Sequence, residues 1–169
     1  MLRKHIGPLR SLDYTGFVHC SLTWCCDSRK ALFLQKESVD LVRLQFLRAA
    51  TENEIAIIAY CFMPDHVHQL VTGTSLTADA RQYMRKAKQY SGYYYSQAFG
   101  ERLWQRYGHD HRLRQIDDPH AVARYILANP VVDGLVNRIE DYAYTGSTIY
   151  SVDELVKWAY GIDASSMSG

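Results

Sequence analysis

The 169-residue chain is 47% hydrophobic and 22% charged, which excludes a disordered chain and suits one domain with its own core. No apolar run reaches the roughly 20 residues of a membrane span, and the opening MLRKHIGPLRSLDY has no apolar signal core, so a cytoplasmic protein with no membrane partner is expected. The net charge of +1 hides an asymmetry: residues 81–114 carry eight basic and two acidic side chains, residues 115–169 three basic and eight acidic.

That cationic block suits either a polyanion partner or a solvated helix face. Cys20, Cys25, Cys26 and Cys61 lack paired C-x-x-C spacing, which argues against a zinc ribbon, and they are expected to stay reduced.

In chain order, residues 17–24 (FVHCSLTW) alternate and are rich in aromatic and β-branched types, so a first strand is expected there. From Glu37 to about Ala50, the residues Val39, Leu41, Val42, Leu44, Phe46 and Leu47 form a helical stripe. Residues 54–63 (EIAIIAYCFM) are apolar nearly throughout, as in a central strand. Pro64-Asp65 is a turn, and residues 68–72 return as an antiparallel strand. Residues 77–98 predict a long helix with Ala80, Tyr83, Met84, Ala87, Tyr90, Tyr94 and Ala98 on its apolar side. Residues 110–116 predict a fourth strand. Asp118 is a natural N-cap before Pro119, and Pro130 is expected to stop that helix at or before Asn129. Residues 152–160 make a last helix before a frayed Ser/Gly-rich end. The order β-α-β-β-α-β-α describes an α+β, ferredoxin-like (split βαβ) antiparallel sheet with helices on one face.

His66-Val67-His68 is the sharpest local signal. Two residues apart on a strand, both imidazoles reach one face and one metal ion, while Val67 points to the core. Tyr125 and Asn129, spaced i, i+4, share one helix face and offer a phenol oxygen and an amide carbonyl. Either pair alone also fits a structural role: the chain has 13 tyrosines, and Asn-Pro is a common helix stop. The basic side chains Arg81, Arg85, Lys86 and Lys88 leave the apolar stripe free and can track phosphates. Tyr93, Tyr94, Tyr95, Trp104 and Tyr107 interleave with the cations as rings on which unpaired bases could stack, with Tyr94 expected to pack in the core. Trp104, Gln105, Arg106 and Arg112 extend the candidate DNA surface, and His109 and His111 are expected as strand or DNA-facing residues.

Together, Tyr60-Cys61-Phe62-Met63-Pro64-Asp65-His66-Val67-His68, then Trp104-Gln105-Arg106, His109-Asp110-His111 and Arg124-Tyr125-Ile126-Leu127-Ala128-Asn129-Pro130-Val131 resemble the motifs of the HUH single-tyrosine transposases, REP-associated tyrosine transposases in particular. The resemblance runs from about Gly16 to Leu135. It implies an HUH nuclease fold, divided into an N-terminal segment (1–15), a transposase domain (16–150) and a C-terminal helix and tail (151–169). It further implies cleavage and joining of single-stranded or hairpin DNA through a 5′-phosphotyrosine link. On that likeness Tyr125 is the nucleophile, and His66, His68 and Asn129 hold a divalent metal, Mg²⁺ or Mn²⁺. The protein would act in the bacterial cytoplasm, near the nucleoid, as monomer or homodimer. A catalytically silent DNA-binding module of the same fold and a small metal-dependent phosphoesterase remain as alternatives.

Overall fold

The computed structural model describes residues 13–106 and 112–162. Five strands, β1 (His19–Cys25), β2 (Ile55–Met63), β3 (His66–Gly73), β4 (Arg112–Gln115) and β5 (Thr145–Gly146), form one sheet in the order β4-β1-β3-β2-β5. Every pairing is antiparallel. Because β1 and β2 both run opposite to β3, they are parallel to each other, and β3 inserts between them as a split βαβ unit requires.

Helix α1 (Lys36–Glu52) crosses from β1 to β2, and α2 (Ala80–Phe99) crosses from β3 to β4. Both cover one face of the sheet, over Cys20, Leu22, Trp24, Val67 and Val71. Helices on one face are thus found for the βαβ pair, but α3 (Pro119–Val132) and α4 (Val152–Tyr160) add a second layer. They pack Ile126, Leu127, Leu155 and Ala159 against Ile58, Cys61, Met63 and Leu70 on the opposite face. The near-continuous burial of β2 has its cause in these two layers.

Local signals set most element ends. Asp79 caps α2 by accepting from the N–H groups of Arg81 (2.9 Å) and Gln82 (3.1 Å). Asp118 caps α3 through the Ala121 N–H at 3.0 Å, with Pro119 next to it, as the sequence predicts. Ser151 and Glu154 form a reciprocal capping box at α4.

Four expectations need correction. Pro130 does not end α3, which runs on to Val132, with Asp133 N–H reaching Asn129 C=O at 3.0 Å. Asn129 is therefore held inside the helix, where its direction is set. The first residues of β3 are His66 and Val67, because the Pro64-Asp65 turn is a tight two-residue one. In α2 the buried line is Ala80, Tyr83, Ala87, Ser91 and Tyr95, so Tyr95 packs in the core and Tyr94 faces outward. Trp104 is no base-stacking ring: it is 4% exposed among Trp24, Phe33 and Phe46, and its indole N–H donates to Ser91 Oγ at 2.8 Å.

No sequence pattern announces the short β5. Its Gly146 lies so close to Tyr60 that an added Cβ would stand 2.4 Å from the phenol oxygen. The four cysteines are buried thiols, and burial pushes Cys20 up to about 11 and Cys61 up to about 12. No helix among the described residues is long and apolar enough to cross a membrane. His109, His111 and Tyr107 lie outside the described residues.

Candidate active site

The strand register builds the site. His68 stands between Thr23 of β1 and Cys61 of β2, and His66 stands between Cys25 and Met63. Strand alternation sends Val67 into the core under α1 and α2, leaving the two imidazoles for the face that carries α3. Across that gap the Tyr125 ring meets the His68 ring edge to face, with centroids 5.5 Å apart at 76°. Ser21, Thr23, His68, Arg114, Val122 and Tyr125 line a small polar cleft of about 160 Å³ between β1, β4 and α3. Tyr125 is 61% exposed, open to a substrate on its outer side.

The histidine hydrogen bonds define what the pair can hold. Asp65 Oδ1 sits 2.6 Å from His66 Nδ1, and a carboxylate only accepts, so the proton is on Nδ1 and Nε2 is bare in the neutral ring. His68 Nδ1 sits 3.2 Å from Thr23 Oγ1, a hydroxyl that can donate or accept. The two Nε2 atoms face each other at 3.1 Å. Two nitrogens about 2.1 Å from one ion, at a right angle, stand about 3.0 Å apart, so this spacing suits a shared divalent cation. Without a cation, one proton lies between the two nitrogens; with His68 in its Nδ1–H tautomer, donating to Thr23 Oγ1, both Nε2 lone pairs are free.

Electrostatics favours the ligand form. Burial, then the nearby His66 and Arg29, push His68 down to about 4, so it is neutral and able to ligate near neutral pH. Burial alone would raise the Asp65 carboxyl, but His66 and Arg29 outweigh it and hold it below the ordinary carboxylate value. Arg29 Nε donates to Asp65 Oδ2 at 3.0 Å. One turn beyond Tyr125, Asn129 is 9% exposed, and its amide nitrogen is buried with no hydrogen-bond partner. A flip of that amide would present Oδ1 in its place, the donor a hard cation takes.

Helix α3 is held firmly. Arg124 donates to the Ala159 carbonyl at 2.8 Å, and His120 stacks on Trp158 with centroids 4.1 Å apart while its Nδ1 sits 2.9 Å from the Trp158 carbonyl. Packing of α4 thereby fixes the helix that presents Tyr125.

The basic candidates divide. Arg81, Arg85 and Lys88 line one cavity of about 600 Å³, floored by Trp24, Met84 and Leu113, on the sheet face opposite the histidines. Lys86 does not join them; it pairs with Glu52 of α1 at 3.3 Å. Gln105 is half-buried, with its N–H on the Cys25 carbonyl at 3.2 Å, and Arg106 is exposed. Arg112 stands in β4 opposite Thr23. Arg114 is absent from the residues that the sequence singles out, yet it lines the cleft beside Tyr125. Its signal was available: on a strand it lies two residues from Arg112, on the edge that pairs with β1.

Comparison with known proteins adds sequence evidence to this geometry. The family model "Transposase IS200 like" matches residues 17–126. No curated protein matches the chain. Among solved structures, a REP-associated tyrosine transposase bound to a REP hairpin is similar over 83% of this chain and 82% of its own, at 20% identity and a TM-score of 0.63. A candidate transposase from Deinococcus radiodurans is similar over 71% of this chain and 92% of its own, at 22% identity and a TM-score of 0.51. At such identities these two structures speak to the fold. The match over residues 17–126, more than half of the sequence, goes further: the chain belongs to the IS200-like transposases, the HUH single-tyrosine family.

Proposed function

We propose that this transposase cleaves and rejoins single-stranded DNA beside a hairpin, with Tyr125 as nucleophile and His66, His68 and Asn129 as ligands of a divalent metal, Mg²⁺ or Mn²⁺. The observation that carries the reading is the Tyr125 ring seated on His68, whose Nε2 faces that of His66 at 3.1 Å. The bound metal would supply charge stabilisation at the scissile phosphate. Imidazole nitrogens favour Mn²⁺, whereas Mg²⁺ is more abundant in cells.

The residues themselves do the positioning. Tyr125 Oη attacks phosphorus in line, the Tyr–O–P bond forms, and the bond to the 3′ oxygen breaks. The phenol proton lost on one side is matched by the proton gained by the departing 3′-OH. The ester retains the phosphodiester's energy, so a second 3′-OH can reverse the step without ATP. Helix α3, braced by α4, holds the phenol at a fixed distance from His68, which supplies orientation before reaction. Arg114 stands where a flanking phosphate would pass. The cations Arg81, Arg85 and Lys88 offer the DNA backbone a second contact on the far face, where a hairpin stem would be held.

The test is a labelled hairpin oligonucleotide with a single-stranded flank, incubated with Mn²⁺ and run under denaturing conditions. Wild-type protein should retain the label, with the adduct mapped to the Tyr125 peptide by mass spectrometry. Tyr125→Phe should keep fold and DNA affinity while losing on the order of 10³-fold or more in adduct rate. An adduct on Tyr125→Phe at the wild-type rate overturns the assignment. Hairpin binding with no adduct in the wild type would instead indicate a silent DNA-binding module.

A further inference from the structure

The connection from β1 to α1 has an unusual backbone. Ser28 and Arg29 both take left-handed conformations, each with φ 54, although neither is glycine. Consecutive residues of this kind persist only where their surroundings over-determine them, and such places cluster at working sites.

Here the surroundings are the turn that precedes the histidines. The Cys26 N–H donates to the Asp65 carbonyl at 2.9 Å, and the Phe33 N–H donates to the Pro64 carbonyl at 3.0 Å, strapping the segment to that turn from both sides. Between the straps, Arg29 Nε donates to Asp65 Oδ2 at 3.0 Å and its Nη1 approaches Cys25 Sγ at 2.9 Å. Asp65 uses its other oxygen on His66 Nδ1 at 2.6 Å. Guanidinium, carboxylate and imidazole thus stand in one line that ends on the bare Nε2 facing His68.

The carboxylate needs such an anchor. Asp65 sits on a tight turn with its side chain 29% exposed, and a carboxylate bonded through one oxygen alone can rotate about its χ torsions into water. A second, charged bond on the other oxygen removes that freedom. We propose that Arg29 is a positioning residue of the metal site: by locking Asp65 it keeps His66 in the Nδ1–H tautomer with Nε2 aimed at the shared cation. This rests on the metal-binding reading above. The main rival role for Arg29, whose side chain is 51% exposed, is a direct contact to a DNA phosphate.

Three readouts on the full chain separate these roles. In metal-free protein, above the imidazole titration range, long-range ¹H–¹⁵N spectra should show His66 protonated on Nδ1 in the wild type and a tautomer mixture in Arg29→Ala. Direct Mn²⁺ binding, followed by the paramagnetic resonance of unbound Mn²⁺, should weaken about 10- to 100-fold in Arg29→Ala, with Arg29→Lys recovering most of the loss by restoring one charged bond to Asp65. Hairpin affinity in EDTA should stay within about twofold of wild type, since a phosphate contact would be worth more.

Unchanged His66 tautomer and Mn²⁺ affinity in Arg29→Ala overturn the proposal. So does a loss of hairpin affinity with Mn²⁺ binding intact. If Arg29→Ala does not fold, Asp65→Asn, which keeps the shape but removes the charge and leaves one acceptor oxygen where Arg29 and His66 use two, decides the point: wild-type Mn²⁺ affinity there also overturns it. A wild-type protein that binds no Mn²⁺ would refute the metal reading itself, while the tautomer measurement would still judge the link from Arg29 to His66.

Discussion

At the scale of single residues, the site turns on a few atoms whose environments differ sharply. His68 titrates near 4 in the folded, metal-free chain, against an ordinary value of 6.5. A base with a depressed folded value binds its proton more readily when unfolded, so stability rises with pH between those values and is lost as pH falls through them. The difference of about 2.5 units sets an upper bound of about 3 kcal/mol. Thermal melts in EDTA should therefore drop in Tm from about pH 6.5 to 4, and His68→Gln should flatten that slope; an equal slope in both proteins would refute the burial argument. Trp104 makes the opposite point, a residue whose sequence context suggested DNA and whose surroundings are core. Trp104→Ala should cost about 3–5 kcal/mol in urea denaturation, with hairpin affinity per folded molecule unchanged.

Among the elements, α2 and α3 do separate work on opposite faces of the sheet. Helix α2 lays Arg81, Arg85 and Lys88 along one cavity, whereas Lys86 turns toward Glu52 of α1. Removing one cation that neutralises a phosphate should lower the slope of log affinity against log salt by about 0.7 to 0.9. Alanine at 81, 85 and 88 together should thus reduce the slope by about two to three, and Lys86→Ala alone should leave it unchanged. A Lys86 effect equal to that of its neighbours would show that the pair with Glu52 opens on binding. Helix α3 owes its rigidity to the stacked His120 and Trp158 and to the Arg124 bond to α4.

For the whole molecule, the sheet separates the Tyr125 cleft from the cationic cavity along α2, and under the proposed function one substrate would serve both. A backbone contact on the α2 face combined with a strand reaching Tyr125 calls for a structured element with an unpaired flank. Hairpin DNA with a single-stranded flank should bind more tightly than the matching blunt duplex in a fluorescence-anisotropy titration. Equal affinity would mean that the protein reads duplex backbone alone.

Much of this was legible in the sequence because the signals were local. Strand period, the Pro64-Asp65 turn, the Asp118-Pro119 cap and the spacings of His66 with His68 and of Tyr125 with Asn129 each depend on neighbours within a few residues. The α+β order followed from those. What the tertiary structure decided involves partners far apart in the chain. Trp104 is drawn into a core built by Trp24 and Phe46, and Tyr95 displaces Tyr94 from the buried line because α1 and the sheet approach α2 from that side. Pro130 stays helical because α3 packs on β2 and α4, and packing outweighs one missing N–H. The strap from Cys26 and Phe33 to the Pro64-Asp65 turn, and the line from Arg29 through Asp65 to His66, join residues more than 30 positions apart. No period or propensity encodes such a meeting; it exists only once the sheet has brought β1 alongside β3.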